Sequence, residues 1–411
     1  MTQEEPAKST IWNRNFICIF VAQAFLSLAS QTTGILIARY ATDVLGVSIV
    51  VMGSLVGLNL GVALAMRPIS GPLQVKLNKR NLLVAVFITA ATANLGFAMF
   101  NTTSAFVALR VVQGVQFAFQ GSLTMTLAVD SLPQERMASG LAMYTLGGTV
   151  SQMIAPNFGL WLRDLGPKLV EGPQGTVLGY KLAFFFAAGI LALGIIPVLL
   201  YKYTKAEGSI SNTGVWYKNI ISLHALPMTM IIVLSGLSSA GYRQFLDPFS
   251  AERGIKNIGL FSTTTALVLL VARPMVGRII ERIGMRKIFP MAMSVTLASL
   301  LVISTSNTLP MVLLGAALAS LSNAFTGPGM QSMCLQSETR ARRAVASNTI
   351  YAGNDLSGYI GPLLAGIVAQ QSSYSTAIMS GTIPCVLSVI CFFLIQPGYQ
   401  RRQNELSQQT E

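Results

Sequence analysis

A few ionisable residues inside long apolar runs carry most of the chemistry that this sequence offers. Asp355 is the one acidic residue of fifteen that lies away from the tails, the loops and the ends of the runs. A carboxyl group that moves between an apolar environment and a cationic partner takes up and releases a proton. We therefore predict that Asp355 carries a coupled proton. The alternative is a carboxylate held permanently by Asn348, Asn354 or the backbone.

A second set of residues could bind a polar solute. Arg110 and Gln113 share one helical face with Phe117, because residues three or four apart lie on the same side of a helix. Gln116 and Gln120 widen that face. Similar polar stripes elsewhere contain Gln23, Ser30, Ser238, Tyr242, Asn323 and Gln331. These positions predict a substrate cavity, and the alternative is interhelical hydrogen bonding among the amides.

The sequence is poor in the residues that catalysis and metal binding need. It has one histidine, His224, and its four cysteines show no metal-type spacing. A nucleotide-binding loop of the form Gly-x-x-x-x-Gly-Lys is also missing from the sequence. We therefore predict a protein that is not an enzyme, that needs no cofactor or metal, and that ATP does not drive directly.

Membrane helices are predicted to hold all of these residues. Of 411 residues only 10% are charged and 52% are hydrophobic, and the mean hydropathy is +0.58. This composition excludes a soluble enzyme, a secreted disulfide scaffold and a nucleic-acid-binding module. Apolar runs of about 20 residues, each able to cross a membrane as a helix, start near Asn15, Val50, Leu82, Ser104, Ala138, Leu178, Leu223, Gly259, Ile288, Leu309, Val345 and Tyr374.

The distribution of positive charge predicts the orientation of these twelve spans. Eighteen of the 28 Lys and Arg residues fall on the side of the termini and six on the other side. Positive loops stay in the cytoplasm, so both termini are expected there, in a multi-pass protein of the cytoplasmic (inner) membrane. The predicted order is a tail (1–14), a six-helix bundle (15–201), a linker (202–218), a second six-helix bundle (219–397) and a tail (398–411).

The two bundles repeat one another. Arg67-Pro68-x-x-Gly71 recurs as Arg273-Pro274-x-x-Gly277, an offset of 206 residues (273 − 67), and Gly53 matches Gly259 at the same offset. With six spans per copy, the copies have the same orientation and form parallel pseudo-repeats. A solute pathway is expected between them.

A further repeated pattern lies at the outer ends of the first and seventh spans. Arg39-x-x-x-Asp43 recurs as Arg243-x-x-x-Asp247. Residues four apart on a helix are neighbours, so each pattern predicts an ion pair. We interpret both pairs as structural or gating contacts rather than as substrate ligands.

Two motifs resemble those of the major facilitator superfamily. Arg110-Val-Val-Gln113-Gly114 is similar to the signature of that family's fourth span. The loops after the second and eighth spans resemble its Gly-x-Leu-x-Asp-(Arg/Lys)-x-Gly-(Arg/Lys)-(Arg/Lys) motif, although Val75 stands where the family has Asp. The resemblance implies an all-α fold of twelve transmembrane helices, a central cavity lined by spans one, four, seven and ten, and a cytoplasmic gate containing Gly71, Lys76, Arg80, Gly277, Glu281, Arg282 and Gly284.

The sequence favours a secondary active transporter that moves a small organic solute by alternating access, with proton-coupled export as the leading mode. One alternative is uptake or exchange of an organic anion, with Arg110 and Arg243 neutralising the substrate. A more distant one is a non-transporting sensor or a membrane enzyme. The expected partners are the solute, protons and the lipid bilayer, without nucleic acid, and the expected state is a monomer.

Overall fold

The computed structural model describes residues 12–132, 137–202, 221–338 and 343–408, and no strand occurs in them. Their helices are α1 (Arg14–Gly34), α2 (Ile37–Asp43), α3 (Ile49–Lys76), α4 (Lys79–Met99), α5 (Thr103–Asp130), α6 (Met137–Leu169), α7 (Pro173–Leu200), α8 (Leu226–Glu252), α9 (Leu260–Ile283), α10 (Met285–Thr305), α11 (Leu309–Gln336), α12 (Arg343–Gln371), α13 (Tyr374–Ser380) and α14 (Thr382–Gln408). Because α1 continues into α2 and α13 into α14, the described helices make twelve long units. This confirms the predicted all-α fold.

Polar caps fix several of the helix starts. The side-chain oxygen of Asn13 accepts a hydrogen bond from the backbone N–H of Phe16 at 2.9 Å, and that of Ser48 accepts one from Val51 at 3.4 Å. Each cap satisfies an N–H group that the first turn of a helix leaves without a partner. The largest difference from the predicted span starts is at α7, which begins at Pro173 instead of Leu178.

The predicted linker and tails are only partly described. Residues 1–11 and 203–220 lie outside the described residues, and they include nearly all of the predicted linker. At the other end, α14 continues past residue 397 to Gln408, so most of the predicted C-terminal tail is helical. We call the face of the bundle with the start of α1 and the end of α14 the terminal face, and the other the opposite face.

The twelve units differ in polarity. Seven of them are long and apolar enough to cross a membrane, judged by length and composition. The other described units, α5, α6, α8, α9 and α12, are more polar. Polar groups inside a membrane usually face other helices or a water-filled cavity, so these five helices are expected to lie towards the middle of the bundle.

The two most extensive helix crossings between the first half (α1–α7) and the second half (α8–α14) are repeated. They are α3 with α12 and α6 with α9, and the 206-residue repeat relates one crossing to the other. Glycine permits the close approach at equivalent positions. A Cβ atom on Gly53 would collide with the carbonyl oxygen of Pro362, and a Cβ on Gly259 would collide with the side chain of Asn157.

Candidate functional site

Two adjoining cavities occupy the middle of the bundle. One, of about 550 Å³, lies among α8, α11 and α12 and reaches Leu60 of α3. The other, of about 570 Å³, extends from α8, α9 and α11 to α1 and α6. They share Tyr242, Arg243, Gln244 and Asn323 in their walls. We therefore treat them as two parts of one central cavity that both halves line.

Four of the predicted substrate-binding residues line this cavity. They are Ser238 and Tyr242 of α8 and Asn323 and Gln331 of α11. Asn323 and Gln331 are exposed, and their spacing of two helical turns puts both on one face. The Ser238 hydroxyl is buried and donates to the carbonyl of Ser235 at 2.7 Å. The structure thus brings these four residues together.

The polar residues predicted in the first half bond mainly to their own helices. Gln116 Nε2 donates to Gln120 Oε1 at 2.6 Å, and both side chains are buried. Gln23 Nε2 donates to the Ser27 hydroxyl at 3.2 Å. Phe117 and Ser30 are exposed. None of these residues is in the wall of the central cavity, and their role as substrate ligands stays a prediction.

Arg110 is bound to helix α3 rather than placed in the central cavity. Its Nε donates to the carbonyl of Leu55 at 3.0 Å, and its terminal nitrogens donate to the carbonyl of Val56 and to the Asn59 side chain. A fourth hydrogen bond goes to Gln113 at 2.9 Å. The side chain is buried. In this structure Arg110 therefore holds α5 against α3.

We expect Arg110→Ala to lower the thermal unfolding midpoint of the detergent-purified protein by about 5 °C or more, because three groups of α3 lose a charged donor. Gln113→Ala leaves those three bonds in place and should have a smaller effect. Fluorescence-detected unfolding measures both. An unchanged midpoint for Arg110→Ala, combined with loss of transport, would instead support Arg110 as a substrate ligand.

Asp355 of α12 is paired with an arginine of the other half. Its carboxylate accepts a hydrogen bond from Arg67 Nε of α3 at 2.5 Å, and the two side chains are 5% and 11% exposed. The Arg67 guanidinium also lies over the ring of Tyr351, 5.0 Å from its centroid. From Arg67, α3 runs on to Lys76, a rise of about 14 Å. The pair therefore lies well inside the bundle, and its arginine was not among the partners that the sequence suggested.

The second crossing holds the equivalent arginine but a different partner. Arg273 of α9 donates to the hydroxyl of Thr149 on α6 at 3.1 Å. Thr149 precedes Asp355 by the repeat offset (355 − 149 = 206). Both crossings thus contain an arginine that reaches into the other half. Among the residues that the structure describes, it meets a carboxylate only at the crossing of α3 with α12.

Asp247 of α8 joins the two halves at the opposite face. Its carboxylate accepts a hydrogen bond from Arg163 of α6 at 2.8 Å and lies 3.7 Å from Arg39. Arg39 also forms the predicted i,i+4 pair with Asp43, at 3.3 Å, and the hydroxyl of Tyr180 donates to Asp43 at 2.9 Å. We call these five side chains the opposite-face cluster.

The ion pair predicted in the second half, between Arg243 and Asp247, is not formed. Arg163 and Arg39 bind the Asp247 carboxylate. Arg243 instead lines the central cavity, is exposed, and makes no hydrogen bond or ion pair with a described residue. The sequence could not reveal this exchange of partners, because Arg163 is distant from Asp247 in the chain.

Asp247→Asn is expected to loosen the opposite face, because two arginines would then meet without a carboxylate between them. A cysteine introduced at Ser262, in the cavity wall, should react several-fold faster with an impermeant maleimide added at that face. The four native cysteines are buried or half-buried, which keeps the background low. Asp164→Asn, which removes a more exposed partner of Arg163, is the control and should leave the rate unchanged. Equal rates for both variants would exclude a gating role for Asp247.

Three of the residues predicted for the terminal-face gate are described in full. Arg80 donates to the carbonyl of Leu199 at 2.6 Å, and Arg282 is exposed in the last turn of α9. Gly284 adopts a φ of 81° between α9 and α10, a conformation that favours glycine. For the other predicted gate residues the structure describes only the helical backbone: Gly71, Lys76, Gly277 and Glu281.

Comparison with known proteins gives a family, a relative and solved structures. The model of the Major Facilitator Superfamily matches residues 19–256 and 220–410. The staphylopine export protein of Staphylococcus aureus is 23% identical over 283 residues, which cover 66% of this chain and 67% of that protein.

Two crystal structures have the same fold. The nucleoside transporter NupG matches with a TM-score of 0.75 and 12% identity, over 93% of this chain and 99% of its own. A bacterial homolog of the human lysosomal transporter Spinster matches with a TM-score of 0.70 and 13% identity, over 96% and 97%.

Proposed function

Since the chain belongs to the Major Facilitator Superfamily and is therefore a membrane transporter, we propose that it exports a small organic solute by alternating access and takes up protons in exchange. The staphylopine export protein, a relative that works in the outward direction by its name, supports export. The family and these relatives are transporters and not enzymes.

The buried ion pair of Arg67 and Asp355 carries this proposal. It spans the interface between the halves, so its members separate when the halves rock apart at this crossing. A carboxylate without its arginine in an apolar setting is stabilised by taking up a proton. When the crossing closes, Arg67 again favours the ionised carboxylate and the proton leaves. Proton binding and closure therefore exclude one another, which is the condition for coupling.

The proposed orientation places the terminal face in the cytoplasm, in a monomer embedded in the cytoplasmic membrane. The excess of Lys and Arg on the side of the termini supports this orientation. The opposite-face cluster joins the halves at the far side, so we propose that solute enters the cavity from the cytoplasm and leaves when this cluster opens.

Organic-anion uptake or exchange is the second candidate. The anchor first predicted for it, Arg110, makes its hydrogen bonds to α3 and Gln113. The observation that favours it is Arg243, which is exposed in the cavity and has no partner among the described residues. In an anion exchanger, binding of a second anion lets the transporter return to its starting conformation. No carboxyl group of the protein then needs to bind and release a proton.

Proteoliposomes distinguish the two candidates. A thermal-shift screen of the purified protein against carboxylates, sugars, nucleosides, amphiphilic drugs and peptides first identifies a solute for labelling. A gradient of one pH unit then permits about tenfold accumulation for each coupled proton. A protonophore should abolish this accumulation. Accumulation that follows a counter-anion and ignores the pH gradient would overturn proton coupling.

A further inference from the structure

One cation in the wall of the central cavity has no polar partner among the described residues. Arg243 lies in the walls of both parts of the cavity, is exposed, and has no hydrogen-bond or ion-pair partner among the described residues. The described arginines buried in the bundle are satisfied differently. Arg110 binds α3, Arg67 binds Asp355 and Arg163 binds Asp247.

Arg243 lies deep in the bundle. Helix α8 runs on from Arg243 to Glu252, a rise of about 14 Å. A charge at such a depth is kept where it meets water or a partner, and Arg243 is exposed in the cavity, where a bound solute can reach it. Arg39, the related arginine of the first half, has both Asp43 and Asp247 beside it. The difference between the two arginines indicates that the partner of Arg243 comes from outside the protein.

The surroundings of Arg243 favour a singly charged acidic group with polar neighbours. Arg243 is the only charged residue in the wall of the first part of the cavity. In the second part the Asp247 carboxylate is bound by Arg163, and the second cation, Arg273, already has the Thr149 hydroxyl as a hydrogen-bond partner. The amides in the shared wall supply further hydrogen-bonding groups, as does the hydroxyl of Thr265, which has no partner among the described residues.

We propose that Arg243 binds the carboxylate of an organic-acid substrate in the central cavity. This inference rests on the proposed transport function and specifies its substrate class. A guanidinium presents two parallel N–H donors that match the two carboxylate oxygens. The guanidinium in the wall of the first part of the cavity balances one carboxylate, whereas a phosphate monoester would bring a second negative charge there. The amides of Asn323 and Gln331 then bind the remaining polar groups of the substrate.

Equilibrium binding in detergent at constant pH tests this proposal. The probes are a panel of organic acids, each paired with its own primary amide, which keeps the shape and removes the charge. For the wild type we expect acids to raise the unfolding midpoint more than their amides. Arg243→Gln should weaken binding of the best acid by about tenfold or more and abolish the preference over its amide.

Two further variants make the result specific. Arg243→Lys keeps the charge but loses the fork of donors, so its affinity should lie between wild type and Gln. If Arg243→Gln does not fold, the Lys variant carries the test. Arg402→Gln is the charge-matched control, because Arg402 pairs with Glu405 at the end of α14 and should not affect binding.

Three results would overturn the proposal: no acid binds better than its amide, acid binding survives Arg243→Gln, or Asp247→Asn reproduces the loss seen with Arg243→Gln. The third result would mean that Arg243 acts through the opposite-face cluster. The assay uses no pH gradient. It can therefore fail while proton coupling holds, and it can succeed when proton coupling has failed.

Discussion

Asp355→Asn is expected to abolish pH-driven accumulation while substrate binding and counterflow exchange remain. Asparagine keeps the shape of the side chain and can still accept a hydrogen bond from Arg67, but it does not titrate. With one pH unit across the membrane, wild-type proteoliposomes should accumulate solute about tenfold for one proton per cycle, and the variant should not accumulate it.

The repeat supplies the control for this experiment. Thr149→Val alters the equivalent position and removes the hydrogen bond to Arg273, but it involves no titratable carboxyl group. Accumulation should survive it. If Asp355→Asn also retained accumulation, the remaining carboxylate carriers would lie at the ends of the helices, at Asp43, Asp247 and Glu281. Anion exchange would then be the better explanation.

Arg67→Gln should lower the free energy of unfolding by about 3 kcal/mol, because it leaves a buried carboxylate without its cation. Combining it with Asp355→Asn removes that unpaired charge. The double variant should therefore lose less stability than the sum of the two single variants. A coupling energy of about 1 kcal/mol or more is expected for side chains in direct contact.

Denaturant unfolding of the four proteins in one detergent measures this cycle. Arg273→Gln is the matched comparison, because the group that it leaves is a hydroxyl, and its cost should be smaller. Additive losses for Arg67→Gln and Asp355→Asn would show that the two residues do not interact, and the proposed coupling would lose its basis.

The architecture was predictable because membrane helices depend on local properties of the chain. The lengths of the apolar runs predict the helices, and capping residues such as Asn13 and Ser48 lie where the runs begin. The 206-residue repeat also identified positions that prove equivalent in space. Gly53 and Gly259 each lie at a crossing between the halves, and Arg67 and Arg273 each reach across one.

The pairing of charges was not predictable, because it depends on which helices cross. The apolar run of the second span is interrupted at Arg67, because this residue is charged. Helix α3 nevertheless continues to Lys76, which keeps Arg67 deep in the bundle. The spacing of polar residues predicts a polar face on α5, but no spacing in the sequence shows that α3 supplies the hydrogen-bond partners of Arg110. Asp247 likewise takes a partner from α6 instead of from its own helix.

The unequal crossings have an electrical consequence. Among the described residues only one of the two cross-half arginines meets a carboxylate, so the proposed coupling through Asp355 would carry one proton per cycle. If a monocarboxylate leaves as one proton enters, each cycle is equivalent to moving two positive charges inward. A membrane potential of 100 mV, negative inside, then adds about 4.6 kcal/mol to the driving force, at 2.3 kcal/mol per charge. Export would thus continue on voltage alone, even where the pH on the two sides is equal.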